Sequence, residues 1–108
     1  MKKLKEFIVV GVFDNRRLIA VDAQSNPLDK STFICKYEDG GDKWRVIDRA
    51  TGLLISHGKT KKECIQRFND KLSDYHYYKE TNPYYKKQIT QFNELREKEV
   101  AEWQALVN

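Results

Sequence analysis

Apolar and polar positions along the chain follow two different periods, and the change falls near Gly58. From Phe7 to Phe13 the run Phe-Ile-Val-Val-Gly-Val-Phe is apolar on both alternating faces, which predicts a strand covered on both sides. Asp14-Asn15 supplies a turn, and Arg17 to Asp22 resumes β-like composition, so residues 6 to 22 are predicted as a hairpin that Ser25-Asn26-Pro27 breaks. Three strand-like runs follow: Thr32 to Tyr37, Lys43 to Asp48 and Leu53 to Ser56. They are separated by Asp39-Gly40-Gly41-Asp42 and Arg49-Ala50-Thr51-Gly52, where glycine is available for positive φ. Alternation places Phe33, Cys35 and Tyr37 on one face with Trp44 and Val46 as neighbours. It places Ile34, Lys36, Lys43, Arg45 and Ile47 on the other, giving a core face and a mixed, open face.

After His57-Gly58-Lys59 the period becomes helical. Thr60-Lys61-Lys62-Glu63 is a capping box, in which the Thr60 hydroxyl accepts from the Glu63 amide and the Glu63 carboxylate returns to the Thr60 amide. Cys64, Ile65, Phe68, Leu72 and Tyr75 then form one apolar stripe, flanked by a favourably oriented Glu63–Arg67 pair. Asn82-Pro83 ends this helix and sets Pro83 to open a second, running to about Leu106. The second stripe is Tyr85, Ile89, Phe92, Leu95, Val100, Trp103 and Leu106, interrupted by Arg96 and Glu99. Burying those two charges would cost several kcal/mol per ion unless they were well paired. The final turns, with Val100, Trp103, Leu106 and Val107, are therefore expected to extend beyond the core and to bury Trp103 against another molecule. The fold class predicted is α+β: an antiparallel sheet of about five strands, a hairpin plus a three-stranded meander, followed by two helices, the last one long. One domain over residues 1–108 is expected, with a β half at 4–57 and an α half at 60–107.

Composition narrows the class. At 108 residues, with 40% hydrophobic and 33% charged residues, the chain is neither a disordered tail nor a membrane protein. Met1-Lys2-Lys3-Leu4-Lys5 looks like the start of a signal peptide, but the apolar run after it ends at Val12 and then meets Asp14 and two arginines. A cytoplasmic protein is predicted, with no membrane partner. Two cysteines, Cys35 and Cys64, are too few for a disulfide scaffold and are expected to be buried thiols. The net charge of +4 is spread along the chain, with one denser cluster at Lys59, Lys61 and Lys62. It permits a polyanionic partner without demanding one.

Catalytic signals are thin. Gly58-Lys59-Thr60 matches the tail of a phosphate-binding loop, but that loop needs four residues between its glycines and here Gly52 and Gly58 enclose five. Cys35, His57, Cys64 and His76 lack the short spacings that put two metal ligands on one turn, and neither histidine has an evident orienting partner. No enzyme activity, metal or cofactor is expected. The binding candidates are richer. Tyr75, Tyr77, Tyr78, Tyr84 and Tyr85 crowd the joint between the helices, interleaved with His76, Lys79, Lys86 and Lys87. Tyr75 and Tyr85 belong to the core stripes, which leaves Tyr77, Tyr78, Tyr84, Lys86 and Lys87, with Trp103, as candidate partner-binding residues. The alternative is nucleic-acid binding by Lys36, Lys43, Arg45 and Arg49 on the open sheet face, with Lys59, Lys61 and Lys62 at one end.

Two family resemblances rest on these residues. Lys43-Trp44-Arg45-Val46-Ile47-Asp48, Thr51-Gly52 and Gly58-Lys59-Thr60-Lys61-Lys62-Glu63-Cys64 resemble AP2-type and integrase-arm DNA-binding domains, over residues 32–72. That likeness implies a three-stranded DNA-reading sheet followed by one helix; the N-terminal hairpin and second helix are additions to it. The chain as a whole is similar to the short proteins of phages and conjugative elements of Gram-positive bacteria, among them type II-A anti-CRISPR proteins. This likeness rests on the Trp-Arg-Val-Ile-Asp-x-x-Thr-Gly and Gly-Lys-Thr-Lys-Lys-Glu phrases and on small size. It implies a non-enzymatic inhibitor that contacts a host Cas9-type nuclease ribonucleoprotein or its guide RNA. A DNA- or RNA-binding accessory protein, and a homodimer formed through the long helix, stand as alternatives.

Overall fold

The computed structural model describes residues 4–10, 16–37 and 43–107. Its strands are β1 (Leu4–Val10), β2 (Arg17–Ser25), β3 (Thr32–Lys36), β4 (Trp44–Asp48) and β5 (Leu54–Gly58), followed by helices α1 (Lys61–Thr81) and α2 (Tyr84–Val107). The sheet order is β1-β2-β3-β4-β5, with every pair antiparallel, so the α+β architecture of hairpin, meander and two helices is the observed one. β2 runs three residues past the predicted Asp22, and β5 closes at Gly58 instead of Ser56. The predicted turns Asp14-Asn15 and Asp39-Gly40-Gly41-Asp42, and the end of the first apolar run, lie outside the described residues.

The faces of the meander require a correction. Phe33 pairs with Ile47 and Cys35 with Arg45, whereas Ile34 pairs with Val46 and Lys36 with Trp44. Directly paired residues share a face, so Trp44 and Val46 belong with Ile34 and not with Phe33 and Cys35 as expected. A one-residue difference in register exchanges the faces of a whole strand, and composition does not fix that register when both faces are apolar.

Both faces carry a core, but the one shared by Ile34 and Val46 is open over β1 and β2, where Lys5, Phe7, Ala20 and Asp22 are exposed, so the edge strand β1 is not covered on both sides as expected. Ile8, Val21, Ala23, Phe33, Cys35 and Ile47 form one core on the first face. Ile34 and Val46 form the other with Cys64, Phe68 and Tyr75 of α1, the stripe predicted for that helix. The sheet curls around the first core: the Val9 amide donates to the Gly52 carbonyl at 3.0 Å, joining β1 to the turn between β4 and β5. Gly52 has φ of +68°, and a Cβ there would stand 2.6 Å from the Phe92 ring of α2. Glycine is thus required at this crossing for both backbone and space.

Both helix starts are chemically marked. The Thr60 hydroxyl accepts from the Glu63 amide at 3.1 Å, as the capping box predicts. The returning Glu63 carboxylate reaches the Lys59 amide instead of that of Thr60, and Glu63 also pairs with Arg67 at 2.6 Å. At the joint, the Asn82 side chain accepts from the Tyr84 amide at 2.9 Å while the Asn82 amide donates back to Tyr78, closing one helix and opening the next. Along α2, Tyr85 and Phe92 are buried, and from Arg96 onward every described side chain is exposed. The overhang read from Arg96 and Glu99 is therefore observed, with Leu106 at 85% exposure. The Trp103 and Val107 side chains lie outside the described set. No helix among the described residues is long and apolar enough to cross a membrane.

Candidate functional site

Polar chemistry gathers where the helices meet the end of β4. Asp48, the last residue of that strand, is 3% exposed. Its Oδ1 accepts from the Tyr75 hydroxyl at 2.6 Å, and its Oδ2 accepts from Thr51 at 2.7 Å and Tyr85 at 2.9 Å. One carboxylate thus ties the sheet to α1, to α2 and to the turn that holds Gly52. Burial, and then the hydrogen bonds to Asp48, push the Tyr75 and Tyr85 phenols well above the usual tyrosine range, so both remain donors.

A second set of bonds extends this network to the loop between β2 and β3. Asp29 Oδ1 accepts from the Ser31 hydroxyl at 2.6 Å, and Oδ2 lies 2.8 Å from His76 Nε2. His76 therefore has an orienting carboxylate, contrary to the sequence expectation; a contact across 47 positions leaves no trace in local spacing. Lys79 Nζ donates to Ser31 Oγ at 3.0 Å and to Tyr75 Oη at 3.2 Å. A lysine activating Ser31 would have to accept a proton, whereas Lys79 donates and the Ser31 proton is directed at Asp29. The arrangement braces the loop and offers no activated nucleophile. Cys35 and Cys64 are both buried, and burial pushes the Cys35 thiol up to about 11. No group of three or more metal-ligating side chains occurs among the described residues.

Outside this network lie a cleft and a corner. The cleft, about 440 Å³, is bounded by α1, the start of α2 and β5, with Asp48, Tyr75, Tyr78 and Tyr85 among its walls. At the corner where the helices join, Tyr77 near the end of α1 is 70% exposed, and at the start of α2 Tyr84 is 49% exposed, with Lys86 and Lys87 also exposed. Tyr78, expected in the exposed patch, is half-buried: its hydroxyl donates to Gln88 at 2.8 Å and its ring meets Tyr85 edge to face. It stands three residues after Tyr75 on α1, and its inward partners belong to α2.

The sheet-borne basic residues do not converge. Lys36 shares a face with Trp44, its ammonium 5.9 Å from the ring, while Arg45 lies over Tyr37 on the opposite face. Arg49 approaches Glu6 at 3.1 Å and Phe33, and Lys43 is exposed beside β4. The expected common surface of Lys36, Lys43, Arg45 and Arg49 is thus divided by the register. Near the start of α1, Lys61 donates to Gln24, while Lys59 and Lys62 are exposed. Sequence reading missed Asp48 as an anchor; its signal was an acid ending a strand, three residues before a threonine and a glycine. No protein-family model, curated protein or solved structure matches the chain.

Proposed function

We propose that this protein is a non-enzymatic binding protein whose recognition surface is the corner formed by Tyr77, Tyr84, Lys86 and Lys87, and whose target is an RNA-bearing nuclease complex. The observation that carries this reading is the opening of α2. Its first turn holds no acidic residue, and Lys86 and Lys87 stand exposed there against the positive end of the helix dipole. α1 also opens on two lysines, Lys61 and Lys62, but there Glu63 stands in the same turn and Lys61 donates to Gln24. Placing two lysines at a helix start costs stability, about 0.3–1 kcal/mol each, unless an anion is bound there. Tyr84 in the same turn and Tyr77 near the end of α1 are exposed and can supply stacking surface for unpaired bases, which single-strand binders combine with basic charge.

The phrases around Trp44 and Lys59 that resemble mobile-element inhibitors make a host Cas9-type ribonucleoprotein the target of choice, with its guide RNA as the component contacted. Such a protein would work in the cytoplasm of the host cell. A purified Cas9-type nuclease, with guide, without guide, and the guide alone, would each be titrated with this protein. Binding to the guided nuclease and to free guide is expected, with nuclease inhibition. Replacing Tyr77, Tyr84, Lys86 and Lys87 by Ala should abolish it at unchanged melting temperature. Replacing only the two lysines should lower the salt slope by about 1.4, since each phosphate contact on a single strand contributes about 0.7. Undiminished binding by the four-residue variant, or no binding in any arm, would overturn the proposal.

A further inference from the structure

We infer that the cleft between α1, the start of α2 and β5 is a binding site for an organic cation, an alkylammonium or guanidinium group. At about 440 Å³ it falls within the size range of small-ligand sites. The rings of Tyr75, Tyr78 and Tyr85 form its aromatic walls, and those of Tyr78 and Tyr85 meet at 80° with centroids 5.9 Å apart. Aromatic walls set at right angles can present a ring face to a cation from more than one side, which is how quaternary ammonium groups are recognised.

A formal negative charge completes the site. Asp48 lines the cleft at 3% exposure and receives three hydroxyl donors, yet among the described residues it makes no ion pair. Hydroxyl donors satisfy its lone pairs but leave its charge in place, and low-dielectric surroundings extend the reach of that charge. Asp74 adds a second carboxylate to the lining, exposed at the rim. Lys79 Nζ lies 4.6 Å from the Tyr75 centroid, a cation already seated on one of the three rings and, though not in the lining, a charge that opposes the ligand. Lys71 is the opposing charge in the lining; it is exposed and donates to the Ile55 carbonyl at 3.4 Å. Leu53 and Leu54 offer apolar surface for methyl groups or an alkyl stem. This site is distinct from the lysine-bearing corner, which attracts the opposite charge.

The test uses choline and its neutral carbon isostere 3,3-dimethylbutan-1-ol, with tyrosine ring NMR signals as the readout at constant ionic strength. Choline is expected to shift the Tyr75, Tyr78 and Tyr85 signals saturably, and the neutral alcohol to do so at least about tenfold more weakly. Short peptides carrying arginine or trimethyl-lysine, run beside choline, tell whether a side chain or a free cation fits better, and saturable binding of any of the three supports the site. Tyr78→Leu should weaken binding about tenfold and Asp74→Asn about threefold, whereas Lys71→Gln should tighten it about threefold. These three positions lie outside the buried core, and circular dichroism would confirm that the variants are folded. Equal binding of the neutral alcohol, absence of saturable shifts with every cation, or tightening absent in Lys71→Gln together with no loss in Asp74→Asn would overturn the inference.

Discussion

The two halves of α2 share one helical pattern and meet different fates. From Tyr84 to Leu95 the helix is fastened: Tyr85 is buried and bonded to Asp48, Phe92 is buried against Gly52, and Ile89 and Leu95 are half-buried. From Arg96 onward all described side chains are exposed, Val100 at 54% among them. The apolar stripe is comparable in both halves, so a stripe alone does not decide burial. What differs is the presence of something to pack on. α2 meets β2, and Phe92 of its first half packs at the turn after β4, while the second half continues on local propensity, helped by such spacings as Glu94 with Lys98.

The largest expected effect breaks the fastening itself. Asp48→Ala removes the acceptor shared by Tyr75, Tyr85 and Thr51 and leaves their hydroxyls buried without it. A loss of about 3 kcal/mol or more is expected from urea denaturation at pH 7, with concurrent loosening of the first half of α2 in hydrogen exchange. Gly52→Ala attacks the same region through backbone and space together. With φ of +68° and the Phe92 ring 2.6 Å from the new Cβ, it should destabilise by about 2 kcal/mol. Substituting Phe92 with Leu in that background should restore part of the loss if the ring contact matters.

A smaller effect concerns the brace between the β2–β3 loop and α1. Burial alone would raise the Asp29 carboxyl, but the Ser31 hydrogen bonds and His76 outweigh it and hold the group below its ordinary value of 3.8. A carboxyl depressed in the folded state contributes stability above the unfolded pKa, and that contribution is lost as pH falls through the folded value. Asp29→Asn should therefore cost about 1 kcal/mol near pH 7 and progressively less below about pH 4, measured by urea midpoints at each pH. Smallest of all, Val100→Ser and Leu106→Ser should change stability by less than about 0.5 kcal/mol, because neither side chain is packed within the monomer. A cooperative loss above 1 kcal/mol that depends on protein concentration would show that the distal half is covered by a second copy.

Much of the candidate site was legible as residue type and little of it as arrangement. Tyr77, Tyr84, Lys86 and Lys87 stand exposed at the helix joint where their positions outside the apolar stripes put them. Tyr78 was misplaced because its partners, Tyr85 and Gln88, belong to the other helix. Asp48 reads as a solvated charge at a strand end until residues 27 and 37 positions away deliver their hydroxyls to it.

Local sequence sets the elements, because periods of two and of about 3.6, the Thr60 cap and the Asn82-Pro83 break are interactions among near neighbours. It determined too that the distal charges of α2 would resist burial. Which way the meander faces, and with it the separation of Lys36 from Arg45, is settled in the tertiary contacts. Only there do three tyrosine rings and a buried carboxylate come together into one cleft. Register and long-range pairing depend on the closure of the whole sheet, in which many weak contacts act at once, and no local stretch of residues carries that information.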